Sequence, residues 1–169
     1  MSSDGATDPF EAWPEGVAWR SVSPRLAVVL LIRLWVGALV LGALVVAVVT
    51  LTGLALSVGW ALTVISLLTL LRSATIVRAV RAWGYAERDR DLLVRHGLWV
   101  KQLSIVPYAR MQFVDVSAGP VERAFGLATV ELHTAAAASD AEVPGLVAAD
   151  ARRLRDRLTE LGADRTAGL

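Results

Sequence analysis

The chain has 169 residues, 55% of them hydrophobic, with 17 basic and 16 acidic side chains and a formal net charge of +1. Its length suits one ordinary domain with an appendage, its apolar fraction exceeds that of a mean soluble globule, and its balanced charge gives no field for nucleic acid. Cysteine is absent, which excludes disulfides, thiolate metal sites and cysteine nucleophiles.

The first 19 residues, "MSSDGATDPFEAWPEGVAW", hold four acids, two prolines and no base, and read as a flexible tail. Trp13 and Trp19 are then available to press on a bilayer or on a folded domain.

Between Arg33 and Arg72 lie 38 residues without a charged side chain or a histidine. As a single helix this stretch would run about 57 Å, nearly twice the roughly 30 Å of a hydrocarbon core. It therefore divides into two spans, about 26–49 and 54–76, within a hairpin over residues 20–81. Thr50, Thr52, Gly53 and Gly59 are the available breakers at its turn. Arg33, inside the first apolar run, reads either as a functional intramembrane charge or as a side chain snorkelling to the interface, and snorkelling is preferred. Trp19, Trp35 and Trp83 suit interfacial anchoring. Arg20, Arg25 and Arg33 flank the first span, and Arg72, Arg78 and Arg81 follow the second, while the hairpin turn is uncharged. The positive-inside rule then puts both termini in the cytoplasm. Acids and tryptophan before the apolar run, and the length of that run, argue against a cleaved signal peptide.

From residue 82 the pattern becomes one of short strands, with 11 basic and 12 acidic residues to the end of the chain. "YAERDRDLLVRHG" reads as a strand end, a charged turn and a strand closed by Gly97. "LWVKQLSIVP" reads as a strand ending at Pro107, and "MQFVDVSAG" as one ending at Gly119. In "GPVERAFG", Pro120 suits the first helical position and Gly126 the position after the last. "LATVELHTA" alternates Ala128, Val130 and Leu132 with Thr129, Glu131 and His133. "AASDAE" reads as a loop and "VPGL" as the lead into a helix from Val147 to Leu161. The apolar stripe Val147, Ala151, Leu154, Leu158 and Leu161 needs a docking surface, and Gly162 is the expected stop.

This order of residues resembles the bacterial pleckstrin-homology domain of YdbS-like membrane proteins. The resemblance rests on Gly97, on Pro107 with Arg110, Gln112 and Val114, and on Gly119-Pro120 with Arg123, Phe125, Gly126 and Leu127. Pro144-Gly145-Leu146 and Ala151 complete it. It covers about residues 83–160, and two spans ahead of the domain are also the family's arrangement. It implies an α+β fold: a two-helix transmembrane hairpin, then a pleckstrin-homology-like β-barrel at 82–162 capped by a C-terminal α-helix, with a tail at 163–169. Members of the family often accompany a larger, multi-copy relative, which the resemblance makes an expected partner. It implies no known reaction.

Sites of chemistry are sparse. A metal site would need His96 and His133 to converge with Asp91, Asp115 or Glu131, and no ligand spacing supports that. Ser104 and Ser117 lack a nucleophile setting. The turn "ERDRD" has too many acids to grip a phosphorylated inositol, and Arg95 and Lys101 stand isolated around the next turn. The expected function is non-enzymatic: assembly with other membrane proteins, or with a second copy, through a strand edge or the groove beside the helix. A role in envelope maintenance or stress protection would fit that setting. The alternatives are an anionic-lipid-sensing module and an accessory subunit of a membrane enzyme or transporter. No cofactor is expected. Pro107, Arg110, Gln112, Arg123, Phe125 and Gly126 serve either the fold or a partner. For Arg123 the expected partners are Asp115, Glu122 or Glu131.

Overall fold

A computed structural model describes residues 17–53, 57–134 and 140–166, with side chains described as far as residue 162. Most of the N-terminal tail, the alanine-rich loop at 135–139 and the C-terminal tail lie outside the described side chains. The elements are β1 (Arg20–Ser21), α1 (Arg25–Thr52), α2 (Val58–Ala82), β2 (Gly84–Glu87), β3 (Asp91–His96) and β4 (Gln102–Pro107). A 3-10 turn (Tyr108–Arg110) then leads to β5 (Met111–Ser117), α3 (Pro120–Ala124), β6 (Leu127–Thr134), β7 (Ala141–Val147) and α4 (Ala148–Thr166).

α1 and α2 are both long and apolar enough to cross a membrane, and only 6% of the apolar window of each is buried within the protein. Gly53 ends α1 in the left-handed conformation at φ 63°, its N–H returning to the Val49 carbonyl, and Ser57 caps α2 by accepting the Trp60 N–H. Of the expected breakers, Gly53 acts as one. Thr50 and Thr52 instead stay helical, donating their hydroxyls to carbonyls three or four residues back, which satisfies them in an apolar setting. Gly59 lies inside α2.

The strands form two antiparallel sheets, β1-β2-β3-β4 and β5-β6-β7. β1 precedes the hairpin and pairs with β2 after it, Arg20 opposite Tyr85 and Ser21 opposite Gly84. The hairpin is thus inserted between two neighbouring strands of one sheet. Val22, Leu26 and Val29 join the same buried core as Val80, Tyr85, Leu92, Val106, Val130 and Leu154. The segment from residue 20 to the second turn of α1 therefore belongs to the folded domain as well as to the hairpin. One continuous apolar run serves core and bilayer alike, so hydropathy alone draws no boundary between them.

α4 lays Ala151, Leu154 and Leu158, all fully buried, across the sheets against β5, β6 and the 3-10 turn. Burying each leucine contributes about 1.5–3 kcal/mol. Three local expectations change. Residues 98–101 form a turn, and β4 starts at Gln102. "VPGL" lies within β7, where Pro144 is tolerated because β7 is an edge strand. Val147 ends that strand, and α4 runs past Gly162 to Thr166. The result is α+β: two apolar helices, strands in two sheets, and a C-terminal helix packed over them.

Candidate functional site

β4 and β5 are consecutive in the chain yet belong to different sheets, and each is an edge strand. The 3-10 turn between them makes the corner of the domain. Pro107 closes β4 opposite Asp91, half-buried, and the Tyr108 N–H donates to the Arg90 carbonyl. Tyr108 itself is 1% exposed, and the adjoining Ala109 and Arg110 are exposed. At Gln112 the β5–β6 register slips between Met111 and Phe113, which leaves Gln112 exposed on a bulged edge. Bulges of this kind twist an edge and re-aim its side chains.

Apolar side chains stand in solvent along both edges: Leu103 and Ile105 on β4, Phe113 on β5. Phe113 also stacks on His133 of β6, ring centroids 4.4 Å apart. Beside β5 a groove of about 390 Å³ is lined by Met111, Gln112, Phe113, Val114, Leu158 and Gly162 among others. Free strand edges with apolar flanks and an adjacent helix groove can accept an added strand or an amphipathic segment.

Arg123, Phe125 and Gly126 are elsewhere. They sit on and after α3, beyond the far end of β5, whose run from Gln112 to Ser117 is about 17 Å at 3.3 Å per strand residue. The Glu122 carboxylate accepts the Gly119 N–H at 2.7 Å and closes the first turn of α3. Phe125 packs on the core and is the C-cap of α3; Gly126 follows it at φ 67°, donates its N–H to the Arg123 carbonyl and accepts the Ala148 N–H that starts α4. Arg123 is exposed, and no ion pair joins it to Asp115, Glu122 or Glu131. Glu131 instead accepts from the Ser117 hydroxyl. The signature residues therefore form two groups rather than one site.

The basic residues around the hairpin divide in the same way. Arg25, Arg72, Arg78 and Arg81 are exposed. The Arg33 guanidinium lies over Gly119, with Nη2 2.8 Å from where a Cβ at 119 would stand, so α3 lies at the membrane end of the domain. Arg20 turns instead to Glu87, which faces Arg20, Arg153 and Arg157 at 3.3–3.7 Å and ties β1, β2 and α4 together. This polar knot gave no local signal in the sequence, because its members are spread from residue 20 to residue 157.

The histidines occupy different sheets, His96 stacked on Trp83 at 4.7 Å and His133 on Phe113. Asp140 accepts the Thr134 N–H and faces His133. The Thr134 bond, then the histidine, hold its carboxyl below the usual carboxylate range. Among the described residues, no three histidine or acidic side chains form a group able to hold a metal ion.

A family model described as "Bacterial PH domain" matches residues 22–162, across both apolar helices and most of the domain. The chain belongs to the bacterial PH domain family. Over 81 residues it is 36% identical to the UPF0699 transmembrane protein YdbS of Bacillus subtilis (strain 168), an alignment covering 48% of this chain and 50% of that protein. The chain thus spans about half the length of the curated relative it matches. No solved structure matches it. With its two apolar helices, it is a transmembrane protein carrying a bacterial PH domain.

Proposed function

We propose that this bacterial PH domain protein is a non-enzymatic, membrane-anchored assembly module whose domain and both termini lie in the cytoplasm. Its partners are other membrane proteins: a larger multi-copy PH-like relative first, or a second copy of this chain. Docking at the β4–β5 corner would hold such a complex at the inner face of the membrane, in the service of envelope maintenance or stress protection. Service as an accessory subunit of a membrane enzyme or transporter is a special case of the same docking.

The observation that carries this reading is the pair of free strand edges bearing Leu103, Ile105 and Phe113 in solvent. An exposed apolar edge invites pairing, and natural proteins otherwise blunt such edges. Chemical crosslinking in intact membranes tests it. Discrete higher-mass species that weaken in a Phe113→Glu variant are expected. Recovery of monomer alone would contradict the proposal.

A second reading, recognition of anionic lipid, draws on the exposed Arg72, Arg78 and Arg81 at the end of α2. Liposome flotation of the full chain cannot separate anchoring from recognition. Lateral enrichment of anionic lipid around the reconstituted protein, measured at low and at high salt, can.

A further inference from the structure

Among the described residues of the domain, the β3–β4 turn carries the most exposed large apolar side chains: Trp99 is 88% exposed and Val100 70%. Gly97, at φ 105°, makes the turn possible, since a Cβ there would collide with the Val100 carbonyl. Between Gly97 and Gln102 there is one charge, Lys101, and no acid.

The turn's place in the fold identifies what it faces. Gly84, two residues after α2 ends, lies opposite Arg95, two residues before Gly97. Trp83 stacks on His96, Arg95 lies 4.6 Å over the Trp19 ring, and β3 touches α2. The turn therefore projects from the end of the sheet at which both membrane helices join, on a base braced by two ring contacts. The opposite end carries the β2–β3 turn and the β4–β5 corner.

Distances agree with this placement. About 20 helical residues cross a hydrocarbon core, so α2, starting at Val58, leaves it near residue 77. Trp83 is then about 9 Å beyond that boundary. From the Gly84–Arg95 pair the chain has four residues to reach Trp99, and at about 3.3 Å each that is enough to return through the headgroup layer.

We propose that the Trp99-Val100-Lys101 turn is a second membrane contact, a foot that seats its indole and valine in the bilayer interface while Lys101 meets lipid phosphate. Tryptophan is enriched at this depth because its ring is amphipathic. The foot fixes the tilt of the domain on the bilayer and so keeps the β4–β5 corner turned away from it. The contact does not depend on the assembly reading, since it involves the other end of the domain.

The chain has no cysteine, so a single one can be labelled. Val100→Cys, bearing an environment-sensitive fluorophore, is reconstituted as full-length protein in phosphatidylethanolamine–phosphatidylglycerol vesicles. Asp89→Cys, in the β2–β3 turn at the other end, is the reference. A blue-shifted label at 100, quenched several-fold more by brominated lipid than the label at 89 and protected from aqueous iodide, is expected. Adding Trp99→Ala should reduce the lipid quenching. Iodide quenching equal at 100 and 89, with no response to brominated lipid, would overturn the proposal. Protection from both quenchers would also overturn it, since that places the turn in a protein interface. Lipid quenching at 100 in a protein that crosslinks only as monomer would leave the foot standing and remove the assembly reading.

Discussion

Gly145 of β7 presents a bare Cα to Leu26 of α1: a Cβ at 145 would lie 2.7 Å from the Leu26 Cβ and 2.8 Å from its Cδ2. The Ser23 N–H also donates to the Gly145 carbonyl, at 3.0 Å. The first membrane helix is seated on the last strand of the domain at this point.

Gly145→Ala should therefore destabilise the domain by about 3 kcal/mol, combining overpacking against Leu26 with the left-handed φ of 67°. Gly126 has the same φ but open space around its Cα. Gly126→Ala should cost only about 1 kcal/mol. Thermal unfolding of both variants in detergent checks the difference, and equal losses would mean that Leu26 does not press on β7.

Tyr108 gives a pH signature. Its ring is buried beneath the corner, and burial, then the carboxylates of Glu87 and Asp91, push its phenol up to about 12. An unfolded tyrosine ionises near 10. The unfolded chain thus loses its proton first, and stability present below pH 10 declines as pH rises toward 12, by on the order of 2–3 kcal/mol. The hydroxyl also has no well-formed hydrogen bond. Tyr108→Phe should be about as stable at pH 7, because the buried hydroxyl it removes makes no well-formed hydrogen bond, and should show a shallower decline in alkali. Denaturant unfolding at pH 7, 9.5 and 11 measures both effects.

Glu87 is 15% exposed, while the three arginines around it are 45–60% exposed. Pairs this wet contribute little singly, but their shared carboxylate makes a network. Glu87→Gln should lower stability by about 1 kcal/mol at low salt, and the loss should shrink in 1 M salt. A loss independent of salt would point to packing of the side chain rather than to its charge.

The parts of the fold legible in the sequence carry their own local signal. The charge gap before Arg72 announces two spans, Gly97 and Gly126 punctuate the domain where a positive φ favours glycine, and Pro120 opens α3. β1 was not legible, because two residues pair only through the returning β2. β7 was hidden by Pro144 and Gly145: one marks an edge strand and the other a contact with Leu26, neither visible from strand alternation. The stop expected at Gly162 fails because α4 continues to Thr166. At the candidate site, Pro107 is legible as a strand end, and Arg110 and Gln112 only as carriers of the family resemblance. Their meaning, a corner between two edges, needed the sheet order. Trp99 falls within an apparent strand in the sequence, and its exposure follows from a turn that Gly97 alone does not specify.

Docking at the β4–β5 corner is tested by a site-specific photocrosslinker at Gln112 in the intact membrane, with one at Glu142 on the other edge strand of the same sheet as reference. Both side chains are exposed. A docking corner predicts one discrete adduct from Gln112, lost in Phe113→Glu and absent from Glu142. Equal, diffuse or absent adducts at the two positions would contradict it.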